Sequence, residues 1–187
     1  MKKVLFIVPS KAIGGTNSSL SSLINYLSPV CDIDVMIMCS KGEGRYDFLS
    51  KSYCDNLLNS YYSNYRELKG RMKLTSLPLK IIKSVFLFCR IPIEKIIFRC
   101  VAKKYQRKNS YDIVVGFSEG IAMKLASEFS APIKYTWIHC EYDRAVDKNV
   151  SELLYYEKFN GIICVSNYTK SLFLNRYPSL AKTTTYI

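Results

Sequence analysis

Val4 to Val8 form an unbroken apolar run, bounded by Lys2 and Lys3 on one side and by Pro9, Ser10 and Lys11 on the other. Such a run, with no polar alternation, is the pattern of a strand buried on both faces of a parallel sheet, and it predicts β-structure from Lys3 to Pro9. Gly14-Gly15-Thr16-Asn17 breaks the pattern. Beyond the break, Leu20, Leu23, Ile24 and Leu27 recur at helical spacing, so Ser18 to Leu27 reads as a helix with Thr16 and Asn17 as candidate N-cap side chains. Asp32 to Cys39 is a second strand, closing a β-α-β unit whose crossover should be right-handed.

From Tyr111 onward the same alternation resumes. Asp112 to Phe117 reads as a strand, Glu119 to Phe129 as a helix, Ile133 to His139 as a strand and Asp147 to Phe159 as a helix capped by Asp147. Asn160-Gly161 turns the chain into a strand at Ile162 to Val165. Ser166 caps a helix from Asn167 to Arg176, Pro178 forbids its continuation, and Thr183 to Ile187 begins one more strand. Between about Gly42 and Lys108 the tendency is helical. Leu79, Ile82, Val85 and Phe86 share one helical face against Lys80 and Lys83, and Ile93, Ile96, Ile97, Cys100 and Val101 repeat that pattern against Lys95, Arg99 and Lys103. The expected architecture is α/β: a Rossmann-like, doubly wound, mostly parallel sheet. Residues 1–187 form one domain with a basic amphipathic insert at about 66–108, and ligands should bind at the carboxyl ends of the strands.

Composition changes this picture in three places. With 187 residues and 49% apolar side chains the chain can bury a core. The seven cysteines are odd in number and scattered, with no C-x-x-C pair and one histidine in the chain, so they read as reduced thiols of a cytosolic protein and no metal site is expected. The net charge of +12 is local: residues 66–108 hold thirteen Lys or Arg against two Glu, a net +11. A local basic surface, without a recognised RNA or DNA motif, argues against nucleic acid. It leaves two readings of the insert: core-packed helices with a solvated outer face, or a patch that docks on an anionic membrane surface. No apolar run approaches the roughly 18 residues that span a bilayer, so any membrane contact is expected to be peripheral.

The candidate chemistry gathers at predicted strand ends. Gly14 and Gly15 lie between the first strand and the first helix, where backbone N–H groups and the positive end of a helix dipole favour a phosphate. The loop is neither G-x-G-x-x-G nor a P-loop, and a turn needing positive φ would explain the glycines equally well. His139 falls at a strand end, either as a cleft residue or as an ordinary structural histidine. Ser118 and Glu119 sit at a neighbouring strand end. Glu119 could line the cleft or simply favour the first turn of its helix, and Glu141 to Arg144 could be acceptor contacts or a solvated loop. Ser166 is first an N-cap, with any ligand contact additional.

The order of these pieces resembles the N-terminal, acceptor-side domain of retaining GT-B glycosyltransferases of the glycosyltransferase family 4-like group, which includes bacterial hexosyltransferases of lipid and capsule assembly. The matching stretches are Lys2-Lys-Val-Leu-Phe-Ile-Val-Pro9, Gly14-Gly15 leading into Ser18-Ser-Leu-Ser-Ser-Leu23, Tyr111-Asp-Ile-Val-Val-Gly-Phe117, Pro132-Ile-Lys-Tyr-Thr-Trp-Ile-His139 and Asn160-Gly-Ile-Ile-Cys-Val-Ser166. The resemblance implies that Gly14, Gly15 and Thr16 approach the diphosphate of a nucleotide-sugar donor such as a UDP- or GDP-sugar. It places His139 near the transferred sugar, with Ser118, Glu119 and Ser166 lining the cleft. Where relatives often follow the glycines with Ala-Glu-Arg, this chain has Thr16-Asn17-Ser18.

The local charge, not the resemblance, is what would turn Lys80, Lys83, Lys95, Arg99 and Lys103 toward lipid at the inner face of the cell membrane, and a glycan or lipid-linked acceptor suits a domain so placed. Relatives run on into a second, donor-binding domain, which is expected to be absent here, so these 187 residues alone should give no appreciable transfer. The alternatives are a non-enzymatic basic membrane-binding module and a stand-alone nucleotide-binding α/β protein.

Overall fold

The structure, a computed structural model, describes residues 1–10, 14–40, 52–61, 94–140 and 152–187. Seven parallel strands form one sheet: β1 (Lys2–Ser10), β2 (Cys31–Cys39), β3 (Ser52–Cys54), β4 (Ile113–Gly116), β5 (Ile133–Ile138), β6 (Gly161–Cys164) and β7 (Thr184–Tyr186). Their spatial order is β3-β2-β1-β4-β5-β6-β7. The chain winds outward from β1 to β3, returns to the centre, and winds outward the other way from β4 to β7. This is the Rossmann-like doubly wound arrangement, with its topological switch point between β1 and β4.

The helices are α1 (Gly15–Leu27), α2 (56–61), α3 (94–106), α4 (Ile121–Ser127), α5 (Leu153–Tyr156) and α6 (Asn167–Arg176). A 3-10 turn at Pro178–Leu180 comes next, where Pro178 stops α6. Alternate residues of the central strands divide between two cores. Val4, Phe6, Val8, Val35, Ile37, Val115 and Phe117 pack with Leu20 and Ile24 of α1. On the other face Leu5, Ile7, Met36, Met38 and Val114 pack with Phe98 and Val101 of α3, Met123 and Leu125 of α4, Tyr156 of α5 and Phe173 of α6. Burial on both faces is why the strands read as continuous apolar runs.

Several expectations need correcting. β3 was hidden in a segment of helical tendency; at three residues on the sheet edge it is too short for a period-2 pattern to register. Helix α1 begins at Gly15 rather than Ser18, and neither Thr16 nor Asn17 caps it: Gly14 is the N-cap, with no side-chain cap bond. Asn17 Nδ2 instead donates to the Ser10 carbonyl at 3.2 Å, tying the first turn to the end of β1. Glu119 lies outside α4, which starts at Ile121 and ends at Ser127. The predicted helix at 147–159 ends at Tyr156, and its proposed cap Asp147 lies outside the described residues.

The apolar stripe assigned to the second basic helix was also wrong in phase. Phe98, Val101 and Ala102 are the core-facing residues of α3, while Ile96 is 61% exposed and Cys100 is exposed. The large Phe98 ring, left out of the predicted stripe, sets the rotation; Ile97 is partly buried beside it. Ile93, Lys80, Lys83 and the stretch from Leu79 to Phe88 lie outside the described residues.

Candidate functional site

The carboxyl ends of β1, β4 and β5 are neighbours, spaced roughly 5 Å per strand. The segments that leave these three strands therefore converge on one rim. After β1 come Gly14 and Gly15, the latter opening α1. No side chain caps this helix start and its first turn holds no acidic residue, so the positive end of the dipole is not neutralised by a carboxylate there.

The glycines are not explained by their own backbone. Gly14 has φ 174° and ψ 167°, extended values any residue adopts. Among the described residues positive φ occurs at Gly120 alone, at 72°, where the chain turns into α4. A Cβ on Gly14 or Gly15 would meet nothing within 4 Å. The positive-φ reading is thereby removed, and no described atom crowds a Cβ at either glycine. Thr16 is half-buried on the same turn.

After β4 come Ser118 and Glu119, both half-buried. The Glu119 carboxylate spans the gap to β5, its Oε2 accepting the backbone N–H of His139 at 3.0 Å and its Oε1 accepting the Cys140 thiol at 2.7 Å. Glu119 is thus a brace between two strand ends, a role the sequence did not reveal for it or for Cys140.

The His139 ring lies against Phe117, centroids 4.8 Å apart, and Trp137 packs on the same ring at 5.0 Å. Residues 117, 137 and 139 share one face because alternate strand residues point the same way; that periodicity was the available signal for Phe117. Phe6 of β1 completes the floor, edge-on to Phe117 at 5.9 Å. Among the described residues His139 Nε2 is buried with no hydrogen-bond partner. Burial lowers the imidazole pKa below the ordinary 6.5, and the opposing pull of Glu119 only moderates this. A neutral ring with a buried, unanswered nitrogen is equipped to exchange one hydrogen bond with a bound hydroxyl or phosphate oxygen.

Ser166 behaves as its N-cap reading requires: its Oγ accepts the Thr169 N–H at 3.0 Å at the start of α6. It comes directly after β6, two strands from β4. Glu141 to Arg144 lie outside the described residues. Among the described residues no cluster of three or more His, Cys, Asp or Glu could hold a metal ion, and no helix is long and apolar enough to cross a membrane. Cys31, Cys39, Cys54, Cys100, Cys140 and Cys164 are thiols rather than disulfides, with Cys39 and Cys164 buried.

The environment of His139 makes a pH prediction. The sole imidazole of the chain should titrate below 6.5 in a proton NMR experiment, and Glu119→Gln should lower the midpoint further, because the carboxylate is what holds it up. For stability the sign is that of a depressed group: the unfolded chain binds the proton more readily, so the contribution is complete above 6.5 and is lost as pH falls through the folded midpoint. A midpoint at 6.5 would mean that the ring is solvated, and one above it that Glu119 outweighs burial.

Neither protein-family models nor curated protein sequences give a match to this chain.

Proposed function

We propose that this chain is the acceptor-side domain of a sugar-nucleotide-dependent glycosyltransferase of the retaining GT-B kind, acting in polysaccharide, lipopolysaccharide or glycolipid synthesis. The observation that carries the reading is that two glycines with no positive φ at an uncapped helix start after β1, and a histidine after β5 whose Nε2 is buried with no partner among the described residues, stand at the carboxyl ends of the same doubly wound sheet. A phosphate suits the helix start, and a sugar or acceptor hydroxyl suits the histidine.

In this reading Gly14, Gly15 and Thr16 offer backbone N–H groups to the donor diphosphate, His139 hydrogen-bonds the sugar or acceptor, and Ser118 contributes to the wall between them. Glu119 and Cys140 hold the His139 backbone in place. Phe117 and Trp137 are the apolar floor. Ser166 is a helix cap on the flank of the cleft.

Trp137 is the only tryptophan and shares Phe117 with His139, so its emission reports on the site. Titration of the 187-residue chain with UDP- and GDP-hexoses is expected to change that emission saturably in the millimolar range, with uncharged nucleosides inactive. His139→Ala should weaken the response while leaving the melting temperature nearly unchanged. No saturable response to any nucleotide sugar would remove Gly14, Gly15 and Thr16 from the donor site.

A further inference from the structure

Helix α3 and the turn that ends it carry four cations in one row. Lys95, Arg99, Lys103 and Arg107 succeed one another at i, i+4 spacing, so they line a single ridge, and all four are exposed. Like charges at that spacing repel one another and weaken a helix. Among the described residues Arg99 alone of the four is answered, by Glu128 at 2.9 Å, while Lys95, Lys103 and Arg107 enter no ion pair. The single acid of the helix, Glu94, is buried.

The helix is firmly seated beneath this ridge. Phe98, Val101 and Ala102 are in the core, and Lys104 bonds Asp55 beyond β3 at 2.7 Å while Arg99 bonds Glu128 at the end of α4. Although burial raises the Glu128 carboxyl, hydrogen bonds from Lys158 and Arg99 outweigh it and hold the group below its ordinary range. The ridge is therefore a rigid surface feature. Beside it protrudes Ile96, 61% exposed, one helical turn before the exposed Cys100.

We propose that the Lys95, Arg99, Lys103 and Arg107 ridge, with Ile96, is a docking surface for an anionic phospholipid membrane. Charge complementarity calls for an anionic partner, and an aliphatic side chain standing among the cations suits a lipid interface better than a phosphate backbone. The lipid-facing set thus differs from the one expected from sequence: Arg107 and Ile96 enter, and Arg99 is already partly neutralised. This docking surface is independent of the glycosyltransferase reading.

Co-sedimentation of the full chain with phosphatidylcholine vesicles, with and without phosphatidylglycerol, tests it. Binding is expected only with phosphatidylglycerol, and most of it should be lost at roughly 1 M salt, where the screening length is about 3 Å. Each charge changes partition by roughly fivefold, so K95E/K103E/R107E should weaken it by more than about a hundredfold, whereas Lys182→Glu on the exposed surface elsewhere should barely matter. K95Q/K103Q/R107Q makes the same test if charge reversal perturbs folding. The proposal is overturned if wild-type chain ignores phosphatidylglycerol, binds phosphatidylcholine equally, or keeps its affinity in both triple variants.

Discussion

Phe117→Ala should cost the domain about 3–5 kcal/mol, the usual range for truncating a fully buried phenylalanine. The Phe117 ring is 1% exposed and is the common neighbour of Phe6, Trp137 and His139, so its removal unsupports side chains from β1 and β5 at once. Aromatic contacts of this geometry contribute about 0.5–1.5 kcal/mol each beyond the area they bury, which puts the loss toward the upper part of that range. Two local readouts separate this from a generic core defect. Trp137 emission should shift to the red as water reaches the indole, and the His139 midpoint should rise toward 6.5, because burial is the main cause of its depression. Phe117→Leu, which leaves a smaller void, should show the same signs at smaller size. An unfolding free energy from urea titration within about 1 kcal/mol of wild type, with unchanged emission, would show that Phe117 is not the floor of the site.

Gly15→Val should leave the fold intact and weaken donor binding by roughly ten- to a hundredfold. The fold is indifferent because Gly15 is the first residue of α1, its φ is not positive, and a Cβ added there meets no atom of the described residues within 4 Å. Glycine is itself a poor helix former, so stability should change by less than about 1 kcal/mol. Binding suffers because a branched side chain fills the approach to the helix start and blocks one or two hydrogen bonds to a charged oxygen, each contributing about 1.5–3 kcal/mol. Gly116 is the informative contrast. A Cβ there would come to 2.9 Å from the Met123 Cα and 3.2 Å from the Ala122 carbonyl, so Gly116 is required by the close packing of α4 on β4. If Gly15→Val binds donor as wild type does, the glycine loop has no part in the site.

The strand–helix order was legible because each central strand is buried on both faces and leaves an unbroken apolar run, as Val4 to Val8 does. β3 was not, since a three-residue edge strand carries too few positions to show a period. The face of α3 was misread because three of its aliphatic positions suggested a stripe, while the deciding contact is the long-range burial of Phe98. At the site, sequence position located Gly14, Gly15 and His139 at strand ends. The work of Glu119 was hidden because its partners, His139 and Cys140, lie twenty and twenty-one residues away and meet it only once β4 and β5 are paired. Ser166 could be read correctly because a cap is a local matter, settled within three residues by its bond to Thr169.

The most direct measurement is a residue-resolved NMR titration of the intact chain with a nucleotide-diphosphate sugar, tracking the Gly14 and Gly15 amides and the ring of the single histidine. A ligand held as proposed shifts both amides and His139 together, along one saturation curve. The nucleoside monophosphate should shift them less and the free nucleoside not at all. Shifts confined to other parts of the sheet, or a curve at His139 that leaves the Gly14 and Gly15 amides unmoved, would contradict a donor site at the β1–β4 switch point.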